Sequence, residues 1–341
     1  MDIKEMIFEL CRACGVSGCE EPALAAAKKL LEPYAEVTED SNGNLYAELG
    51  NAAAGKTILL DAHIDRIGFI VTDINSEGFV KVDKCGGIDV RVLQNARITT
   101  QDGKLTGTVC CLPPHLSSGS EDKAEPISKV WADFGMTGDE VKRYIKPGDV
   151  LSFVSKPRML LGSRMTSPAL DNRCSVAALI KAAELIKDWD VPYRVVILLS
   201  SQEETFGSGA VTGAYKVNAD EAIAVDVSFA SQPDVSGQYS KIELDGGPMI
   251  GISPILNKKM TGKLISICES DGRKYQLEPI SGKTGTNADH IAISRGGVKT
   301  AMVSIPQRYM HTAAEVVSLG DVESTAALLA DYIMCGGAFD D

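Results

Sequence analysis

Histidine is scarce in this chain, with four residues in 341, so chemistry that needs imidazole has few places to sit. Basic charge is in deficit as well. Lys and Arg number 34 against 46 Asp and Glu, for a net charge of −12. That balance argues against nucleic acid or an anionic membrane as a partner, since both are bound through basic patches. The acidic surplus suits a protein that keeps divalent cations nearby, although solubility alone explains it equally well. Long hydrophobic runs are missing. The strongest, Val195–Leu199 with its flanks, falls far short of the ~20 apolar residues of a membrane span. The first residues, MDIKEMIFELCRACG, lack the basic start and apolar core of a signal peptide. The nine cysteines are odd in number and scattered from Cys11 to Cys335. Without an export signal they read as reduced thiols of a cytoplasmic protein.

Several motifs are absent too. Cys11-x-x-Cys14 has no second C-x-x-C to complete a zinc knuckle. The spacing Ile3, Ile7, Leu10, Cys11, Cys14 instead places these cysteines in a core. Cys110-Cys111 reads as a strand pair, one side chain to each face. No phosphate loop, dinucleotide fingerprint or G-x-S-x-G elbow occurs.

What is present is an ordinary globular composition, 44% hydrophobic and 23% charged, over a length sufficient for two domains. Residues 2–14 and 21–31 have helical spacing, with Pro22 suited to a first turn. Val37–Glu39 and Leu45–Glu48 read as a hairpin around Ser41-Asn42-Gly43-Asn44, and Thr57–Leu60 as a strand buried on both faces. From about Phe69 to Pro157, short alternating runs are broken by Gly, Asp or Asn every 8–12 residues, the texture of a small β-rich domain. Its middle, Ser117–Glu125, is polar and reads as a mobile loop. After Arg158 helices and apolar strands alternate again. An amphipathic helix is expected over Asn172–Lys187, strands over Arg194–Ser200, Ala222–Val227 and Val298–Ile305, and helices over Lys258–Asp271, Ala288–Arg295 and Asp321–Cys335. Gly246-Gly247-Pro248 and Gly296-Gly297 read as turns. The expected fold is α/β: a mixed, mostly parallel sheet sandwiched by helices. It is formed by residues 1–68 and 158–341, with residues 69–157 inserted as a separate β domain.

Chemistry gathers where strands end. The run Leu59–Ala62 leads into His63-Ile64-Asp65, Val195–Ser200 into Gln202-Glu203-Glu204, and Ile223–Val225 into Asp226. Val303–Ile305 leads through Pro306 to His311. Sites in α/β sheets form beyond the carboxyl ends of strands. Asp171 opens a helix and can bridge two metals through its two oxygens. His63 and Asp226 would complete one metal, Glu204 and His311 the other, and this donor set suits Zn, Co or Mn. Asp65 is placed to orient the His63 imidazole. Glu203 is left as a general base beside water held by the metals. His115 and His290 end no apolar strand and read as structural or surface residues. Three functions compete: a peptidase, another hydrolase on the same metals such as a deacylase or glycosidase, and an assembly protein with a stabilising metal clip. Most acids are committed to metal, which disfavours a glycosidase, and a clip would need no Glu203.

The ordered series Gly15-Val16-Ser17-Gly18, Ala62-His63-Ile64-Asp65, Pro113-Pro114-His115, Pro168–Arg173, Gln202-Glu203-Glu204, Ala224–Val227 and Arg308–His311 resembles the tetrahedral (TET) metalloaminopeptidases. These are also called glutamyl or deblocking aminopeptidases and sometimes endoglucanases. The resemblance spans essentially the whole chain. It implies a phosphorylase/hydrolase-like peptidase domain and two zinc or cobalt ions, with Asp171 bridging. His63 and Asp226 would hold one ion, Glu204 and His311 the other. Glu203 would be the base and Asp65 would stand behind His63. The inserted domain would be a small β-barrel that makes dimers, six of which close into a dodecamer admitting short peptides. The chain departs from the pattern at Arg66, where the family usually has Glu. It also departs at Thr205-Phe206-Gly207-Ser208-Gly209, where Val-Gly-x-Arg-Gly is usual, and at Thr312-Ala313 in place of Ser-Pro.

Overall fold

A computed structural model describes residues 1–113, 116, 124–233 and 235–339. His115 and the polar segment 117–123 lie outside the described residues. The chain opens with helix α1 (Ile3–Arg12), whose N-cap Asp2 accepts from the Lys4 amide and whose apolar residues Ile3, Met6, Ile7, Leu10 and Cys11 form one buried stripe. Helix α2 (Glu21–Leu31) follows, with Pro22 in its first turn as expected. Strands β1 (Glu36–Glu39) and β2 (Leu45–Gly50) form the expected hairpin. Strand β3 (Thr57–His63) is buried at every residue.

The next six strands close into a barrel. They are β4 (Gly68–Ile74), β5 (Val80–Cys85), β6 (Arg97–Thr100), β7 (Thr106–Val109), β8 (Trp131–Asp133) and, after the short helix α3 (Gly138–Val141), β9 (Val150–Phe153). α3 is held by a capping box between Thr137 and Glu140. The barrel has its own hydrophobic cluster, in which Phe69 and Phe153 meet edge to face with centroids 5.3 Å apart. β7 stops at Val109, so Cys110 and Cys111 lie beyond the strand, half-buried and exposed. The Cys110 amide still reaches the Trp131 carbonyl. Cys11 is buried as expected, whereas Cys14 and Cys19 are half-buried.

The chain then returns to the large sheet through β10 (Arg158–Met159), β11 (Arg164–Ser167), α4 (Leu170–Ile186), β12 (Arg194–Ser200), α5 (Ser208–Val217) and β13 (Glu221–Phe229). It continues with β14 (Met249–Ile252), α6 (Lys258–Ser270), β15 (Gln276–Pro279), α7 (Ala288–Ala292), β16 (Lys299–Arg308), β17 (Glu315–Ser318) and α8 (Leu319–Met334). The sheet runs β1-β2-β12-β3-β13-β16-β17-β11-β10, with β14 and β15 branching from β16. Its centre, β12-β3-β13-β16, is parallel, and the flanking pairs are antiparallel. Alternate residues of the central strands face opposite layers. Ile58, Leu60, Val195, Ile197 and Ile223 join α1, α2, α4, α6 and α8, while Leu59, Val196, Leu198 and Ala224 join α5 and α7.

Two expectations need correction. The helix α4 is not amphipathic, because fourteen of its seventeen residues are buried. It is enclosed by the sheet on one side and by α1 and α8 on the other, so only Lys181, Glu184 and Leu185 near its end meet solvent. Asp226 does not end a strand either. β13 runs on to Phe229 because β16 pairs with it through Gln307. Among the described residues no helix is long and apolar enough to cross a membrane.

Candidate metal centre

Strand register brings the first residues together. β3 and β13 pair at Asp61 and Ala224, so two residues further on His63 and Asp226 are level and share a face. His63 also pairs with Ser200 at the end of β12, which sets the following turn, with Glu203 and Glu204, beside it. That turn is tight. Gln202 holds a left-handed φ of 57°, and a Cβ on Gly209 would lie 2.3 Å from the Ser201 backbone, so only glycine fits there. A Cβ on Gly207 would strike the His290 imidazole at 2.5 Å. His290 therefore packs against this turn and stands apart from the cluster.

Asp171 occupies the centre. Its Oδ1 is 3.1 Å from His63 Nε2 and its Oδ2 is 3.2 Å from His311 Nε2. Asp226 Oδ1 lies 3.6 Å from His63 Nε2, and Glu204 Oε2 3.3 Å from His311 Nε2. Two triads result, His63–Asp171–Asp226 and Asp171–Glu204–His311, each with ligand atoms within 4.8 Å of one another. Asp171 and Asn172 lie outside helical φ/ψ at the head of α4, and Asn172 Nδ2 donates to the Val225 carbonyl. The Asp171–Asn172 peptide is cis. Tyr309 and His311 both hold left-handed φ angles, 59° and 63°, a conformation that non-glycine residues keep only where surrounding structure enforces it.

Gln232 and Glu315 hold that segment, accepting from the Tyr309 and His311 amides, and Asp65 holds the glutamate turn. Asp65 is fully buried. Its Oδ1 accepts from the Glu203 amide and its Oδ2 from the Glu204 amide, while Oδ1 also faces His63 Nδ1 at 3.2 Å. Glu315 accepts from the Asp171 amide on Oε2 and from the His311 amide on Oε1. Glu315 escaped the sequence reading; an acid opening the apolar run Glu315-Val316-Val317 was the only signal. A second contact missed from sequence comes from the barrel. The Gly87 carbonyl accepts from His311 Nδ1 at 3.0 Å. A carbonyl only accepts, so Nδ1 carries a proton and Nε2 is turned toward Asp171 and Glu204.

The electrostatics fit a site built for cations. Burial pushes Glu203 up to about 9 and Glu204 up to about 7, with neighbouring carboxylates adding to the effect. Asp226 is raised for the same reasons. Burial opposes charge on the imidazoles, but hydrogen bonds to carboxylates prevail and lift His311 to about 11 and His63 well above its ordinary value. Glu204 Oε1 is buried without a hydrogen-bond partner. Crowded carboxylates, orphaned acceptors and inward-facing imidazole nitrogens are the donor set of a divalent metal site. Of the four carboxylates Glu203 is the most open, its side chain 19% exposed against 10% for Asp226, 6% for Asp171 and 4% for Glu204.

Comparison with known proteins identifies the family. A family model described as M42 glutamyl aminopeptidase matches residues 43–328. A lysyl aminopeptidase of Pyrococcus furiosus is 31% identical over 95% of this chain and 94% of its own. Among solved structures, an aminopeptidase from the archaeon Desulfurococcus kamchatkensis superposes with a TM-score of 0.90 at 31% identity, covering 97% of this chain and 94% of that one. The TET1 peptidase of Pyrococcus horikoshii, which assembles into a tetrahedron or an octahedral shell, gives 0.86 at 29% identity over 99% and 100%. By fold, by sequence and by the match along most of its length, this chain belongs to the M42 glutamyl aminopeptidase family.

Proposed function

We propose that the enzyme is a two-metal aminopeptidase that releases N-terminal residues from peptides. The observation that carries this reading is Asp171, which offers one oxygen to each of two triads. His63 and Asp226 would hold one ion, Glu204 and His311 the other, with zinc or cobalt favoured and manganese compatible with the same donors. When bound, the two cations polarise the scissile carbonyl and acidify the attacking water. Glu203 is the group left to move the proton. Its Oε2 stands 3.9 Å from His63 Nε2, so it borders the cluster without closing either triad. It accepts the proton of the attacking water and passes it to the leaving amine. The free α-amine of a peptide would meet this acidic, metal-bearing site. Asp65 keeps both glutamate amides and the His63 ring in register during turnover.

The particle is proposed to be a dimer built through the barrel that closes into larger shells in the cytoplasm. Exposed apolar side chains support self-association: Leu112 and Tyr144 on the barrel, and Leu160 and Leu161 at the β10–β11 turn. The test of function is a digest of aminoacyl anilides, free and N-acetylated, by chelated protein reconstituted separately with Zn, Co and Mn. Metal-dependent cleavage restricted to free amines is expected, with loss of thermal stability on chelation. Equal cleavage of the acetylated substrates would assign the site to a different amide hydrolase.

A further inference from the structure

An open apolar groove lies at the edge of the large sheet. It holds about 720 Å³ between the start of α6 and the ends of β14 and β15, with Ile252, Pro254, Leu256, Ile265, Pro279 and Ile280 in its walls. Ile252 is 41% exposed there. The rim is basic in a chain that is acidic overall. Lys258 lines the groove, Lys259 follows it in the first turn of α6, and both are exposed. Lysines at a helix N-terminus oppose the macrodipole, and no acid in that turn offsets them. Asn257 already caps the helix by accepting from the Lys259 and Met260 amides. An acidic partner would therefore be met by the lysine side chains.

The same chain carries the complementary shape. The turn after α4 presents Trp189, 57% exposed, between the exposed Asp188 and Asp190. The Trp189 amide donates to the Ile186 carbonyl, and its carbonyl accepts from the Val191 amide, so the indole stands on a fixed turn. Lys187 precedes it as the C-cap of α4, so acids outnumber bases in the turn. A tryptophan of this kind buries ~150–250 Å² when it finds a pocket, and tryptophans are favoured anchors of interfaces. Strand direction puts both features at one end of the sheet. β12 starts at Arg194, just after the turn, and runs toward the metal ligands. β14 is antiparallel to β16 and parallel to β15, so Ile252 and Pro279 end away from those ligands. A partner seated there leaves the metal centre open.

We infer that the Asp188-Trp189-Asp190 turn of one chain docks in the α6–β14–β15 groove of a second copy, the indole against the apolar walls and the aspartates against Lys258 and Lys259. Knob and groove are different patches, so the contact is head to tail and closes into a ring. The inference rests on the proposed closure of dimers into shells, and it names the contact that joins one dimer to the next.

The test is the mass of the full-length, metal-loaded protein by light scattering, with circular dichroism as the check on folding. The parent should be larger than a dimer. Trp189→Ala should reduce it to dimers. Asp188→Lys with Asp190→Lys should do the same, and so should Lys258→Glu with Lys259→Glu, whose acids suit the start of α6 and leave the fold intact. Combining the two charge reversals should restore the parental mass, which only direct pairing of these residues would do. A parent shell indifferent to Trp189→Ala, or reversals that fail to rescue one another, would overturn this contact alone. A parent no larger than a dimer would overturn the shell reading together with it.

Discussion

Glu203 is separated from the other acids of the cluster by exposure and by position. It is the most solvent-accessible of four carboxylates that burial has pushed together. A proton carrier needs that access, whereas a ligand does not. Glu203→Gln keeps the volume and the Asp65-anchored backbone, so metal content should be unchanged while kcat falls by roughly 10²–10⁴. Turnover of an aminoacyl anilide alongside metal analysis reads both, and parental turnover would remove Glu203 from the proton's path. Glu20 offers a different test. Its Oε1 accepts from the Gly18 and Gln202 amides, which pins the residue preceding the glutamate pair. Burial raises its pKa to about 7, against those two hydrogen bonds. The folded value exceeds the unfolded one near 4.3, so ionised Glu20 costs stability above pH 7 and the cost fades as pH falls toward 4.3. Gln retains the acceptor oxygen. Glu20→Gln should therefore be more stable than the parent at pH 8, by roughly 1–2 kcal/mol after allowance for residual solvent, and indistinguishable near pH 4.5. Urea unfolding at both pH values checks this, and a pH-independent difference would mean that the charge is not the cause.

At the scale of elements, the loop after β5 links the barrel to the chemistry. The segment Cys85-Gly86-Gly87 is one of the glycine breaks between the barrel's short strands, and the Gly87 carbonyl sets the tautomer of His311 more than 200 residues away. A side chain at position 87 has no room, since a Cβ would sit 2.7 Å from His311 Nδ1. Gly87→Ala should push the imidazole off its place and weaken the metal site shared with Glu204, roughly 10–100-fold in affinity. Titration of metal into chelated protein would show one site weakened and the other intact; two unaltered sites would show that the barrel merely borders the centre. The same scale explains why α4 misled the pattern reading. The stretch to Lys187 has amphipathic spacing, yet packing by the sheet, α1 and α8 buries fourteen of the seventeen residues of α4. Short strands such as β11, β14 and β17 were missed because four residues carry too little periodicity to stand out from turns.

For the whole molecule, the apolar surface on the barrel and at the β10–β11 turn calls for a partner. Leu161 is 98% exposed at the tip of that turn. If copies of the chain pack there, Leu161→Asp should lower the particle mass in light scattering without changing the fold by circular dichroism. An unchanged mass would move the interface elsewhere.

The linear chain carried the donor types and the central strands. Fully apolar runs at Thr57–Leu60 and Val195–Leu199 can be satisfied only inside a parallel sheet, and the residues that follow such strands must emerge together at one edge. That logic points to His63, Asp65, Glu203, Glu204, Asp226 and His311, and Asp171 joins them as an acid that opens a helix. What it could not supply is the set of contacts made by backbone atoms and by residues remote in sequence: the Gly87 carbonyl on His311, Glu315 beneath the Asp171 and His311 amides, and Asp65 under two amides. Such contacts leave no periodicity or spacing behind, because they depend on where loops from separate elements come to rest. Local pattern sets which residues are available at a strand's end; only the packed tertiary structure decides which of them face one another.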